Sequence, residues 1–200
     1  MRINSKLLLA VTSMSLLFTA TAKAELNVFA CEPEYAALAQ TLAPDAKVYS
    51  ATTAMQDPHQ VQARPSLIAK MRQADLVVCA GADLEIGWLP MLQMKSANPK
   101  VRSTDKGLFF AADQIDTLDK LTQVDRSMGD VHAKGNPHLH LDPLRMLTVA
   151  QTLSAKLTEV DPENASRYAQ SLSDFSQRWQ AKIPQWQEQA KNLAGKKVIA

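Results

Sequence analysis

The chain lacks the signatures of several common enzyme families. No GxGxxG follows a strand-like run, and neither a GxxxxGK[ST] loop nor a GxSxG elbow is present. The usual motifs for dinucleotide binding, phosphate cradling and an α/β-hydrolase nucleophile are therefore missing. Glycine is scarce at 6 of 200 residues, while 46% of positions are apolar and 21% charged. Such a composition is neither collagenous nor low-complexity nor broadly disordered, and it suffices to bury a core. An excess of either charge is also lacking. Three of the 22 basic residues (Arg2, Lys6, Lys23) fall in the first 24 positions, which hold no acid, leaving 19 basic against 20 acidic residues beyond them. That balance gives no support for a nucleic-acid or anionic-membrane surface.

Those first residues read as a secretory leader. Arg2 and Lys6 form a basic start, residues 7–18 (LLLAVTSMSLLF) an apolar core, and Ala22-Lys23-Ala24 an A-x-A cleavage site. The apolar run is shorter than the roughly 20 residues a membrane span needs. Residues 1–24 are therefore expected to be a signal peptide, with an exported, periplasmic and soluble product starting at Glu25. Cys31 lies too far past the apolar core to look like a lipid-modified cysteine.

Beyond the leader, short apolar runs alternate with helix-period stretches, as in a parallel α/β sheet. Strands are expected at 26–30 (LNVFA), 47–50 and 76–80 (LVVCA), with helices after Pro33 and from Pro65. Ligands of such sheets gather at the carboxyl ends of the strands. Residues 112–142 read as a long functional loop. A helix follows from Pro143, and Asp161-Pro162 supplies the N-cap and first proline of another. In this second helix Tyr168, Leu172, Phe175, Trp179, Ile183, Trp186 and Leu193 keep a 3-4 spacing, Pro184 should kink it, and Gly195 should stop it. The aromatic stripe reads as core packing, and Met91 and Met94 near Trp88 as adaptable packing instead of a copper site.

Only four histidines exist, His59, His132, His138 and His140, all within the two long polar loops. Three within nine residues of one loop, with a fourth after a parallel strand, point to a metal, since imidazole suits zinc, nickel, copper and iron. Asp57-Pro58-His59 and Asn136-Pro137-His138 share a design in which proline fixes the backbone just before the imidazole. The two cysteines, Cys31 and Cys79, follow strands that are commonly neighbours, so either a disulfide or two buried thiols fits.

The leader, the DPH at 57–59 with Arg64-Pro65-Ser66, the run ADLVVCAGADLE at 74–85 and GNPHLHLDP at 135–143 resemble the metal-binding proteins that serve zinc and manganese ABC importers. The resemblance runs in order along the mature chain. It implies two α/β lobes joined by one long rigid helix, with a transported zinc or manganese ion held in the cleft by three histidines and a carboxylate. The partner it implies is an ABC permease in the cytoplasmic membrane, and the protein would not be an enzyme. His59 falls on the first ligand and His138 on the second; His132 and His140 are candidate helpers in the same loop. On this reading residues 25–160 form the N-terminal lobe and 161–194 the linking helix, while 195–200 are expected to start a second lobe, itself not encoded here, that would supply the remaining histidine and carboxylate.

Two other readings stay open. His138-Leu139-His140-Leu141-Asp142 spells HxHxD, which starts the ligand motif of metallo-β-lactamase-like hydrolases, where a zinc-bound water is the nucleophile. The histidine that usually follows the Asp is Pro143 here, and no buried strand precedes the motif. An exported scaffold whose histidines bind nothing is the other.

Overall fold

A computed structural model of the chain describes residues 25–125, 128, 131–193 and 195–196. The expected leader and residues 197–200, most of the expected opening of a second lobe, lie outside them. Four parallel strands form one sheet: β1 (Asn27–Ala30), β2 (Lys47–Ser50), β3 (Leu76–Cys79) and β4 (Leu108–Phe110), in the order β2-β1-β3-β4. Val28 pairs with Val48 on one side and Leu76 on the other, and Val78 with Phe109. The chain leaves β1 toward β2 and then crosses back to β3, so the order reverses between β1 and β3. Crevices of α/β folds open at that point.

Helices cover both faces because strand residues alternate sides. Val28, Ala30, Leu76, Val78 and Phe109 pack against α1 (Pro33–Leu42), α4 (Pro143–Val160) and α5 (Ala165–Ala190) through Tyr35, Leu42, Val149, Leu153, Leu157, Tyr168 and Phe175. Phe29, Cys31, Val77 and Cys79 pack on the other side against α2 (Pro65–Gln73) and α3 (Leu89–Ser96) through Leu67, Met71, Trp88 and Leu92. Prolines occupy the first turns of α1, α2, α3 and α4, where their missing N–H costs nothing.

The predicted strands all form, the first starting at Asn27 rather than Leu26, and the α/β parallel sheet is the observed architecture. β4 and α3 were not expected. β4 has only three residues, and α3 leaves Met91 and Met94 exposed among its apolar positions, so neither carries a clean periodicity. Asp161 does not cap its helix as expected. Its carboxylate instead accepts from the Tyr168 hydroxyl and the Asn164 amide, each at 2.6 Å, and the first turn after it is a short 3-10 turn. α5 runs on through Pro184, and Gly195 takes the left-handed φ of +75° expected of a helix stop. The stripe packs as core where it meets α1 and α4, at Tyr168 and Phe175. Farther along, Trp179 and Trp186 meet edge to face at 5.0 Å and remain half-exposed. No helix among the described residues is long and apolar enough to cross a membrane.

Candidate metal centre

Both proline-histidine turns adopt one geometry. In the loop after β2, Asp57 Oδ1 accepts the His59 backbone N–H at 2.9 Å and lies 2.8 Å from His59 Nδ1. In the loop before α4, Asn136 Oδ1 accepts the His138 N–H at 3.0 Å and lies 3.0 Å from His138 Nδ1. An acid or amide two residues before each histidine thus closes a tight turn and also takes the ring proton at Nδ1. That fixes the tautomer and leaves the Nε2 lone pair for a ligand, the arrangement that supports metal-ligating histidines. The His59 backbone N–H, and then its ring, hold the Asp57 carboxyl below the usual carboxylate range.

The four histidines share one neighbourhood. His59 Nε2 stands 3.1 Å from His132 Nε2, with the rings stacked at 5.2 Å, and His138 meets His140 edge to face at 6.1 Å. Two nitrogens on one tetrahedral zinc, each about 2.05 Å from it, stand about 3.3 Å apart, so the first pair already has the spacing of shared coordination. Partial desolvation, followed by the His140, His132 and His59 rings, lowers the His138 pKa below its ordinary value, which favours the neutral, metal-binding form. His140 is drawn aside, with Nδ1 3.2 Å from Glu34 Oε1, near enough for an ion pair though not aligned as a hydrogen bond. Among the described residues the histidines do not bring three ligand atoms within 4.8 Å of one another; Cys31, Cys79 and Glu85 do.

The turn after β3 holds both histidine loops. Trp88, buried, donates its indole N–H to the Pro58 carbonyl at 2.9 Å, and Lys134 pairs with Asp83 at 2.8 Å. Residues 81, 82 and 83 all take left-handed φ values, a costly run for Ala82 and Asp83. Gly135 is obligatory where the second loop folds back: its φ is +102°, and an added Cβ would meet Thr117 Oγ1 at 2.3 Å. Under the same turn lies a buried acid pair. Glu32 Oε2 accepts from Ala80 N–H and both Glu85 oxygens face Gly81 N–H. Burial first, then the neighbouring Glu85 carboxylate, raises the Glu32 pKa, and burial raises that of Glu85.

The sequence missed Asp57 and Asn136 as proton acceptors, although their repeated place two residues before a histidine was the signal. It also missed Glu32, Glu85 and the Trp88 and Lys134 links, for which no local pattern exists. Cys31 and Cys79 form a disulfide, with Cα atoms 4.8 Å apart, so Cys31 is not free to carry a lipid. The HxHxD reading finds no support in the geometry. Asp142 caps α4, accepting from Leu144 and Arg145 N–H groups while paired with the Arg145 guanidinium, and the motif lies on a 3-10 turn instead of following a strand.

The chain is similar to several known proteins. The metal ABC transporter substrate-binding lipoprotein ScbA of Streptococcus cristatus is 26% identical over 96% of this chain and 60% of its own length. The manganese ABC transporter substrate-binding lipoprotein PsaA of Streptococcus pneumoniae is 30% identical over 76% of this chain and 47% of its own. The chain thus spans roughly half to three-fifths of these curated relatives. In fold it is similar to a crystal structure of ZnuA (TM-score 0.64, 22% identity, 79% of this chain and 57% of that one). It is equally similar to a Mn-bound periplasmic metal binding protein from Candidatus Liberibacter asiaticus (TM-score 0.64, 20% identity, 80% and 55%). Residues 28–200 match the family model described as ZnuA, zinc-uptake complex component A periplasmic, and the chain belongs to that family.

Proposed function

We propose that the chain captures a divalent transition metal outside the cytoplasmic membrane and hands it to the permease of an ABC importer, without covalent chemistry. The carrying observation is the pair of Asx-Pro-His turns over the carboxyl edge of the sheet, each with Nδ1 committed and Nε2 left for a ligand. His59 and His138 are the primary ligands. His132, with Nε2 3.1 Å from His59 Nε2, and His140 are candidate helpers from the same loop. On this reading residues 25–160 are the lobe that offers the site, 161–194 the rigid link, and 1–24 the export signal.

An imidazole-rich shell favours zinc, whereas manganese prefers oxygen donors, so zinc is the proposed cargo and manganese the weaker alternative. Calorimetric competition between the two metals at fixed pH tests this, with zinc expected to displace manganese. Turnover of a chromogenic ester or lactam by the zinc-loaded chain would instead identify a hydrolase.

A further inference from the structure

The cluster at the reversal point of the sheet is unexplained by the histidine site. Cys31 follows β1, Cys79 ends β3, and Glu32 and Glu85 lie beside them, each only 2% exposed. The two sulfurs and a Glu85 oxygen all lie within 4.8 Å of one another. Glu32 Oε1 and the Tyr35 hydroxyl are buried without a hydrogen-bond partner. An orphaned buried oxygen beside a second buried acid is costly and calls for a cause, such as a redox role or an ion. A cavity of about 180 Å³, lined by Gly81, Asp83, Glu85, Phe110, Asp113 and Lys134, leads to Glu85 from outside.

We propose that on reduction of the disulfide, Cys31, Cys79 and Glu85 become a second metal site for a thiophilic divalent ion such as zinc or cadmium, with Glu32 Oε1 as the fourth donor. The donor set of two thiolates and carboxylate oxygen suits tetrahedral zinc. The balance is simple. A dithiol reductant gives two electrons to the S–S bond and leaves as its own disulfide, and each cysteine sulfur takes a proton. The incoming dication then displaces both protons to solvent. Two thiolates cancel the dication, and Glu32 keeps its proton and binds through its carbonyl oxygen, so the net charge buried beside Glu32 and Glu85 is the same as in the oxidised protein. A small disulfide oxidant, taking the two electrons and two solvent protons and leaving as two thiols, would re-form the S–S bond and expel the ion, so the Cys31–Cys79 disulfide acts as the closed form of the site. Manganese, a hard cation, is not expected to bind there.

The test uses the full chain, reduced, freed of reductant without air, and titrated with cobalt. One equivalent should develop a near-ultraviolet thiolate-to-cobalt charge-transfer band, which imidazole ligands cannot give, and cadmium or zinc should abolish it while manganese does not. The oxidised chain should show no band. His59→Ala should leave the band intact, separating this site from the proposed histidine site, and Glu85→Gln should weaken cobalt binding about tenfold or more. A reduced chain that keeps its fold and two titratable thiols yet gives no band overturns the proposal, as does one that loses its helical signal on reduction.

Discussion

Replacing Asp57 isolates what the turn contributes to the metal site. Asp57 Oδ1 accepts both the backbone N–H and the ring of His59, at 2.9 and 2.8 Å, so Asp57→Ala frees the imidazole to rotate and to change tautomer. Loss of such an outer partner costs metal affinity about 10–100-fold, and the solvent-exposed Asp57 places the expectation near tenfold. Asp57→Asn keeps the acceptor and drops the charge. Since a charge-assisted hydrogen bond is roughly twice as strong as a neutral one, half the effect in logarithmic terms remains, about threefold. Asn136 is already a neutral acceptor for His138, so Asn136→Ala should cost about threefold and Asn136→Asp should gain about as much. Zinc affinity is read by competition with a chromogenic chelator at fixed pH and ionic strength. An Asp57→Ala affinity within about twofold of the parent, or a larger loss from Asn136→Ala, refutes the reasoning.

The disulfide closes a loop with a sequence separation of 48, so Cys31→Ser/Cys79→Ser should lower stability by about 4 kcal/mol in the chain-entropy model. That corresponds to roughly 8–16 °C in Tm for a chain of this size, and calorimetric unfolding checks it. Glu32 holds its proton in the fold, its pKa pushed from 4.5 up to about 10, so the folded state binds more protons than the unfolded one across that interval. Stability should therefore fall as pH rises from 4.5 toward 10, and Glu32→Gln should flatten the fall in urea unfolding at several pH values. Gly135→Ala should disturb the histidine loop through the contact with Thr117, seen as weaker zinc binding with little change in far-ultraviolet circular dichroism. The His138 ring should titrate below 6.5 by NMR in the metal-free chain, and a midpoint above that value counts against the clustering of the four rings.

Much of the fold was legible because period-2 and period-3.6 patterns mark long, strongly buried elements. LVVC at β3 is buried at every position, and Tyr168 and Phe175 meet the core at helical spacing. β4 and α3 escaped because three residues or a mixed apolar face carry too little periodicity. Of the site, the histidines and their prolines could be read, since imidazoles in polar loops have few structural uses. Which groups steer them could not: Trp88 meets Pro58 across 30 residues and Lys134 meets Asp83 across 51. Such pairs exist only once the sheet has brought its carboxyl edge together. The acid pair was hidden for the same reason, because nothing in the local sequence distinguishes buried Glu32 from half-buried Glu34 or exposed Glu25.

The central claim, that His59 and His138 hold the transported metal, is tested most directly by zinc calorimetry on the chain and on His59→Ala and His138→Ala at one pH, since ligands must be deprotonated to bind. Each single variant should bind at least about tenfold more weakly than the parent, a larger loss than from either His132→Ala or His140→Ala. Unchanged affinity in both His59→Ala and His138→Ala contradicts it.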